Sequence, residues 1–403
     1  MSKTGLLRLT ILFLVVWSYF ARPVYDFIWI AAGRVRDKIL EKTAPHTQDI
    51  LYDDVVALNT RLVSEMDDYI RQTRHRTQFS PLLTGIRYSS VADFSASTEP
   101  LRAKLRQTLA YPLPDAIGGN DFSAVQQKPL GEDDLAVYTL LTIPAIGSVQ
   151  TGLVNAVGVL IVPKKHSTPM PLIIACHGRG GMPDRAVDGK IPILQPHTRD
   201  LAHGAVERGW AVFEPIFVFY GKGYPENIRD LLTIRAQEAG TSLLAMEFTK
   251  TERAIDYLLS RPEFDANRLG MVGLSYGGFN TLFTTALDPR IRVAVVSAYF
   301  SERADILDSS EPFGFYDWRF ANSLGILRDT RIAALVCPRP LQIQCGTQDQ
   351  LFPIESARKV IPETQEIYRK LGLETRFEYH EFIGRHDFDA SAAWLFVDRA
   401  FAK

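Results

Sequence analysis

A short glycine-rich segment carries the residue with the clearest chemical potential in this sequence. Ser275 lies in the run GLSYGG at 273–278, which follows an apolar run at 269–272 and precedes a helical pattern at 279–287. A G-x-S-x-G pattern between a strand and a helix is typical of a sharp turn that exposes the serine hydroxyl. Glycines permit that turn because a side chain there would collide with neighbouring backbone. The segment therefore predicts that Ser275 is a nucleophile.

A serine hydroxyl is a weak nucleophile by itself and requires a neighbouring general base. In the fold that carries this kind of turn, an acidic residue and then a histidine follow the serine along the chain. His386 lies in a loop at 384–388, after a β-rich run at 376–382. His380, inside that run, alternates with apolar residues and is interpreted as a solvent-facing strand residue. We therefore expect His386 to be the base; the alternative is an ordinary histidine of a surface loop.

The carboxylate that orients the base is expected in a turn after an intermediate strand. Asp349 follows the apolar run at 341–344, and Pro353 after it is typical of a helix start. A carboxylate here can accept the imidazole N–H and stabilise the imidazolium. The alternative role for Asp349 is to form the turn or cap the helix. In that case the acid is Asp305 or Asp308, which follow the preceding strand.

Negative charge that develops on a substrate oxygen is best stabilised by two N–H donors. The backbone N–H of Tyr276, directly after the serine, is the first expected donor. The second is expected in the run HGRGG at 177–181, which follows an apolar run at 172–175. We assign the backbone N–H of Arg179 as this donor and His177 as a residue that braces the loop beside the substrate pocket. The alternative role for His177 is that of a second base. The glycines alone would also suit a phosphate loop, but no Lys-Ser/Thr pair follows them.

The elements that must hold these residues alternate between strand and helix from about residue 134 onward. Two β-rich runs with a Gly-containing turn between them predict an antiparallel pair at 135–143 and 156–163. Further apolar runs lie at 171–175, 210–218, 269–272, 293–298, 341–344 and 377–382. Helical patterns separate them at 199–208, 244–260, 279–287, 354–371 and 390–401. This alternation predicts an α/β fold with a mostly parallel sheet, helices on both faces and a ligand site at the carboxyl ends of the strands.

The first 37 residues have the shape of a signal sequence. Residues 1–37 begin with a basic stretch, and an apolar run follows at 9–21. A bulky tyrosine near the cleavage position and a second apolar patch at 27–32 favour an uncleaved anchor over a cleaved signal. The remaining alternative is a helix that packs on the protein's own surface. We therefore expect a membrane-anchored or exported protein, and basic residues on both sides leave its orientation open.

Residues 38–130 are expected to form a helical extension. Apolar residues at 51–70 recur every three or four positions, and a second stripe at 101–109 is followed by a loop at 115–131. The chain is thus expected to consist of the signal or anchor segment, this extension and a catalytic domain at 131–403.

Composition argues against several classes of partner and cofactor. A formal net charge of −1 gives no electrostatic basis for nucleic acid binding. The three cysteines, Cys176, Cys337 and Cys345, lie in or beside apolar runs, lack metal-ligand spacing and are interpreted as buried thiols. We therefore expect neither a metal nor a cofactor, and the sequence leaves the oligomeric state open.

From about residue 130 onward the chain resembles the α/β-hydrolase superfamily, above all its dienelactone-hydrolase-like and acetyl-xylan-esterase-like members. Besides GLSYGG and HGRGG, this resemblance rests on RAIDYL at 253–258, RPEFDANR at 261–268, ALDPRIR at 286–292, the run at 332–353, EIYR at 366–369 and GRHDF at 384–388. It implies a serine hydrolase of the α/β-hydrolase fold, in which Ser275, Asp349 and His386 occupy the triad positions. The helical extension and the membrane-like start lie outside the resemblance.

The resemblance implies that the substrate is a carboxylic ester, either a small ester or a carbohydrate ester. One alternative is a serine peptidase of the prolyl-oligopeptidase type, which has a similar Ser-Tyr-Gly-Gly turn but also a large repetitive β-domain upstream. The other alternative is a non-catalytic hydrolase-like binding protein. Arg179 and Arg385 flank the expected site, where they either attract an acidic substrate or are solvated.

An aromatic-rich insertion at 301–327 is expected to roof the site. Its aromatic residues include Phe313, Phe315, Tyr316 and Trp318. These side chains are candidates for a substrate pocket, with ordinary core packing as the equal alternative.

Overall fold

The computed structural model describes residues 31, 35, 38, 47–148, 154–179, 201–218, 228–307 and 316–402. The chain forms two compact units, Met1–Thr73 and Arg74–Lys403. The expected signal or anchor segment at 1–37 lies outside the described residues apart from two isolated positions. Among the described residues, no helix has both the length and the apolar character that a bilayer crossing requires. The expected three-part division of the chain stays a prediction.

A nine-stranded sheet forms the centre of the second unit. Its strands are β1 Gln126–Glu132, β2 Ala136–Ile146, β3 Val154–Pro163, β4 Met170–Cys176, β5 Ala211–Pro215, β6 Phe264–Leu274, β7 Val293–Ser297, β8 Leu341–Gly346 and β9 Phe377–Phe382. Their spatial order is β1-β2-β3-β5-β4-β6-β7-β8-β9, and the last six in that order are parallel. The predicted mostly parallel α/β sheet is therefore confirmed. Because β5 and β6 lie on opposite sides of β4, a ligand crevice is expected at the carboxyl ends of β4 and β6.

The first three strands are antiparallel to their neighbours, which confirms the predicted pairing of β2 with β3. The prediction of a loop at 115–131 is wrong from residue 126 onward, because β1 begins at Gln126. This strand is polar, largely exposed and interrupted by Pro129, as edge strands often are. It forms through backbone pairing with β2 rather than through an apolar alternation, so the sequence pattern does not reveal it.

The described residues also form helices. They are α1 Thr47–Thr77, α2 Pro81–Thr84, α3 Val91–Leu109, α4 His203–Glu207, α5 Ile228–Glu238, α6 Leu243–Leu259, α7 Tyr276–Leu287, α8 Arg303–Leu307, α9 Asp329–Val336, α10 Ile354–Lys370 and α11 Ala390–Phe401. The predicted helices between strands correspond to α4, α6, α7, α10 and α11, whereas α5 and α9 lie outside the sequence patterns.

The core divides into two layers because successive side chains of a strand point to opposite faces of the sheet. In β4, Leu172 and Ile174 belong to one apolar cluster, and Ile173 and Ala175 belong to the other. The first cluster includes side chains from α3, α6, α7, α9 and α10, and the second includes side chains from α4 and α11. The predicted helices on both faces of the sheet are therefore confirmed. Their packing holds the strands whose carboxyl ends carry the candidate site.

Candidate active site

Ser275 occupies the sharp turn between β6 and α7. Its backbone has φ 60° and ψ −119°, a region that residues other than glycine rarely adopt. The turn is held because the Ser275 N–H donates to the carbonyl oxygen of Ser297 at 2.9 Å. The Ser275 side chain makes no capping hydrogen bond to α7, so the helix start does not engage its hydroxyl.

Two glycines of the GLSYGG run allow close backbone contacts around this turn. A Cβ at Gly273 would lie 2.2 Å from the carbonyl oxygen of Gly277. A Cβ at Gly277 would lie 1.9 Å from the carbonyl oxygen of Cys176, the last residue of β4. The start of α7 therefore packs directly on the loop that follows β4, which only glycine permits at these positions.

His386 and Asp349 lie together, as the sequence predicts. His386 Nδ1 is 2.9 Å from Asp349 Oδ2, and the carboxylate side chain is almost completely buried. The other carboxylate oxygen, Oδ1, accepts the backbone N–H groups of Leu351 at 2.8 Å and Phe352 at 3.0 Å. The ring of Phe352 also stacks on the imidazole, with centroids 5.8 Å apart. The carboxylate is thus fixed on one side, and its second oxygen faces the imidazole.

Ser297, at the end of β7, links the turn of Ser275 to the loop of His386. Its carbonyl oxygen accepts the Ser275 N–H, and its hydroxyl donates to the carbonyl oxygen of Asp387 at 2.7 Å. Asp387 directly follows His386, so one buried residue makes hydrogen bonds to both segments. Sequence reasoning missed Ser297; its only signal is a polar residue at the end of an apolar run.

The loop after β4 lies against Ser275. An added Cβ on Gly178 would be 3.6 Å from the Ser275 Cβ, in ordinary contact. Before it, His177 Nδ1 donates to the Gly178 carbonyl oxygen at 2.7 Å, which places the proton of the neutral ring on Nδ1. Burial lowers the pKa of His177 to about 4, although this hydrogen bond opposes the shift. His177 is therefore neutral near pH 7.

The side chain of Arg179 forms buried ion pairs. Its Nε lies 3.2 Å from Asp317 Oδ2, and its Nη2 lies 3.1 Å from Asp230 Oδ1. The expected solvation of this side chain is thus wrong, because two carboxylates already pair with its charge, whereas attraction of an acidic substrate stays a prediction. Arg385 is exposed.

The aromatic insertion lies only partly within the described residues. Phe313 and Phe315 are outside them, and of Tyr316 only the backbone is described. Trp318 is buried, with ring centroids 6.0 Å from Tyr276 and 5.4 Å from Phe352. It therefore packs on the residue after Ser275 and on the ring that contacts the imidazole, and a substrate-pocket role for these aromatics stays a prediction.

The second downstream histidine is not simply solvent-facing. His380 Nε2 lies 2.8 Å from Asp389 Oδ2, and both side chains are partly buried. Asp389 in turn caps α11 through the N–H of Ala392. The alternation of polar and apolar residues in the strand suggested that His380 is exposed. That pattern does not reveal Asp389, which lies nine residues further along the chain at the start of α11.

The three cysteines are buried, and burial raises the pKa of each thiol. Cys176, Cys337 and Cys345 are buried free thiols, as interpreted from the sequence. Burial raises the pKa of Cys345 to about 12, which keeps it protonated. Across the described ranges, no group of three or more His, Cys, Asp or Glu residues is arranged to hold a metal ion.

The sheet order, the helices on both faces and the sharp turn after β6 together define the α/β-hydrolase fold. No protein-family model matches the chain. Over 228 residues the chain is 28% identical to "Putative hydrolase YtaP" of Bacillus subtilis (strain 168), a match that spans 53% of this chain and 71% of that protein.

Solved structures give the same assignment of fold. The chain is similar to a "putative acetyl xylan esterase" of Bacteroides fragilis NCTC 9343, with TM-score 0.59, 15% identity and coverage of 77% of this chain and 81% of that one. It is also similar to a glucuronoyl esterase of Solibacter usitatus, with TM-score 0.55, 17% identity and coverage of 78% and 94%. These similarities confirm the predicted resemblance to α/β-hydrolases, including acetyl-xylan-esterase-like members, as a resemblance of fold.

Proposed function

We propose that this protein is a carboxylic ester hydrolase that uses Ser275 as nucleophile, His386 as general base and Asp349 as the group that orients the base. The observation that carries the proposal is the hydrogen bond from His386 to the buried carboxylate of Asp349, because Ser297 connects the loop of His386 to the turn of Ser275. The esterase names of the fold relatives support the same reaction class.

The first half-reaction forms an acyl-enzyme. Ser275 Oγ attacks the ester carbonyl carbon while His386 Nε2 accepts the hydroxyl proton. Asp349 accepts the Nδ1–H and stabilises the imidazolium, which explains why its carboxylate is buried and held by backbone N–H groups. When the tetrahedral intermediate collapses, the bond to the leaving oxygen breaks, and that oxygen takes the proton from His386 as the alcohol departs.

The charge on the carbonyl oxygen is stabilised by the backbone N–H groups of Tyr276 and Arg179 in this proposal. Tyr276 begins α7, where the helix dipole favours negative charge. Arg179 directly follows Gly178, the residue of this loop that lies against Ser275. Donors that are already in position cost no reorganisation during the reaction.

The second half-reaction releases the acid. Water takes the place of the alcohol, His386 Nε2 accepts one of its protons, and the resulting hydroxide attacks the acyl carbon. Collapse of this second intermediate breaks the bond to Ser275 Oγ, which regains its proton from His386. The ester, water and the proposed triad account for every bond and proton in the two halves.

We propose a small ester or a carbohydrate ester as the substrate, since fold relatives are named as acetyl xylan and glucuronoyl esterases. Anchoring in a membrane or export through the segment at 1–37 is part of the same proposal, on the basis of its basic start and apolar run.

The proposal is tested by hydrolysis of p-nitrophenyl acetate. We expect the wild-type protein to turn over this ester and the Ser275→Ala variant to retain less than about one thousandth of the activity. A matched control is Ser356→Ala, because Ser356 is similarly buried but lies on α10. Equal activity in the wild type and Ser275→Ala would refute the proposed nucleophile, and a chromogenic peptide as the only substrate would favour a peptidase.

A further inference from the structure

A buried cluster of charged side chains lies beside the turn of Ser275. Asp317 Oδ2 accepts from Arg229 Nε at 2.7 Å and from Arg179 Nε at 3.2 Å. Arg179 also pairs with Asp230, and Arg229 Nη1 lies 3.8 Å from a carboxylate oxygen of Glu247. We call these five residues the Arg229 cluster. They come from the loop after β4, from α5, from α6 and from the insertion, so the cluster joins four separate segments.

The burial of this cluster indicates a structural role other than stabilisation of the fold. The side chains of Arg229 and Asp317 are both 0% exposed. Removing two charges from water costs several kcal/mol for each ion, and apolar residues of similar volume often stabilise a protein equally well. Such a cluster is therefore better explained by the geometry that it imposes on its neighbours.

Those neighbours are the two residues whose backbone N–H groups we assign to the oxyanion hole. Arg179 is held through its guanidinium, which binds Asp317 at Nε and Asp230 at Nη2. Tyr276 is held through its ring, since the Arg229 guanidinium lies 4.1 Å from the ring centroid in a cation–π contact. Asp317 binds both arginines through the same carboxylate oxygen, so it contacts Arg179 directly and reaches Tyr276 through Arg229.

We propose that Asp317 and Arg229 are positioning residues that set the separation of the two oxyanion donors. The inference rests on the proposed function and deepens it, because it makes the insertion part of the catalytic framework. The 3₁₀ turn Tyr316–Trp318, which carries Asp317, thereby controls the loop after β4 and the start of α7 together. Neither residue touches the reacting atoms; each acts through a donor residue.

The test uses the full chain with Asp317→Asn and Arg229→Lys. Asp317→Asn removes the charge that binds both arginines, and Arg229→Lys removes the planar group over the Tyr276 ring. With p-nitrophenyl acetate we expect kcat to fall about tenfold to a hundredfold, while KM changes less than about threefold. Asp317→Glu, which keeps the charge, is expected to recover part of the loss.

A second measurement distinguishes a loss of oxyanion binding from a general loss of activity caused by an altered fold. An aryl trifluoromethyl ketone adds the serine hydroxyl to its carbonyl and forms a tetrahedral oxyanion that imitates the intermediate. We expect its inhibition constant to rise in Asp317→Asn by about the same factor as kcat falls. The acid limb of the kcat/KM profile should not move, because His386 and Asp349 are unchanged.

Asp288→Asn is the matched control. Asp288 is buried and paired with Arg290, like Asp317 with its arginines, but it lies at the opposite end of α7. A helix of twelve residues is about 18 Å long, so this pair is remote from the turn of Ser275. We expect kcat and ketone inhibition of this variant to match the wild type within about twofold.

Several outcomes would overturn the inference. If Asp317→Asn and Arg229→Lys fold with wild-type kcat and ketone affinity, the cluster does not position the donors. If both variants fail to fold, Asp230→Asn, which removes the charge paired with Arg179 Nη2, must still lower kcat and ketone affinity in parallel, and no change in either would also refute the inference. Inactivity of the wild type itself would instead refute the proposed function.

Discussion

The molecule contains two His–Asp pairs of similar local geometry in different surroundings. His386 and Asp349 are 2.9 Å apart, His380 and Asp389 are 2.8 Å apart, and each ring stacks on a phenylalanine. The Asp349 side chain is 1% exposed, whereas that of Asp389 is 27% exposed. The difference teaches that the pairing of histidine with aspartate does not by itself identify a catalytic base.

Their connections distinguish the two pairs. Ser297 ties the loop of His386 to the turn of Ser275, whereas Asp389 caps α11. Burial opposes ionisation of Asp389, but hydrogen bonds from His380 and the N–H of Ala392 outweigh it and hold its pKa below the usual range. The second pair therefore connects the start of α11 to β9, and the first is the pair that we propose for catalysis.

The largest expected difference in activity is between single substitutions of the two histidines. His386→Gln removes the proposed base and should lower kcat/KM for p-nitrophenyl acetate by about 10,000-fold. His380→Gln should stay within about twofold of the wild type. Steady-state kinetics of both purified variants checks this, and a comparable loss in both would erase the distinction between the pairs.

Substitution of the two aspartates should also lower kcat in the first pair and not in the second, by a smaller factor than for the histidines. Asp349→Asn leaves the imidazole in place but offers it an amide, and we expect a loss of about 1,000-fold in kcat. Asp389→Asn can still cap α11, so its kcat and melting temperature should remain close to the wild-type values. Single-turnover hydrolysis measures the first effect, and a kcat of Asp349→Asn near the wild-type value would remove this residue from the mechanism.

His177 extends the comparison to a histidine that pairs with no carboxylate among the described residues. The folded protein disfavours its charged form, with a pKa of about 4 caused mainly by burial. As pH falls below about 6.5, the unfolded chain gains a proton that the folded chain does not bind, so stability is lost between about pH 6.5 and 4. The loss should approach about 3 kcal/mol in total.

Denaturant unfolding at pH 7 and at pH 4 checks this expectation. The wild type should lose more stability on acidification than His177→Gln, because the variant lacks the titrating group. An equal loss in both proteins would mean that other groups dominate the acid limb.

The smallest difference is expected for the stacked phenylalanines. Phe352→Leu removes the ring that holds His386 and should lower kcat about threefold to tenfold, the range of an aromatic contact. Phe382→Leu disturbs only the ring beside His380 and should leave kcat unchanged. Parallel kinetics of the two variants gives the result, and equal kcat values would indicate that the ring does not orient the base.

Sequence reasoning identified the parts of this site that local patterns encode. The turn of Ser275 depends on adjacent glycines, and Asp349 and His386 each follow a strand whose apolar run is visible in the sequence. These are short-range features, because strand ends and turn residues are set by neighbours along the chain. The order of the three residues then predicted their meeting, and the structure brings Asp349 and His386 together.

The remaining features depend on contacts between distant segments. Arg229 and Asp317 are 88 residues apart, and neither has a neighbour in sequence that predicts the other. The link from Ser297 to Asp387 spans 90 residues. Strand β1 is polar, so only its partner strand defines it. Tertiary pairing of polar groups leaves no periodic pattern, and a single sequence does not reveal it.

The central claim is that Ser275 becomes acylated during ester hydrolysis. The most direct measurement is mass spectrometry of the protein quenched in acid after brief incubation with p-nitrophenyl acetate, followed by peptide mapping. We predict an acetyl group on the peptide that contains Ser275, and none on that peptide in Ser275→Ala. Ester turnover with the acetyl group on another residue, or undiminished turnover by Ser275→Ala, would contradict the account.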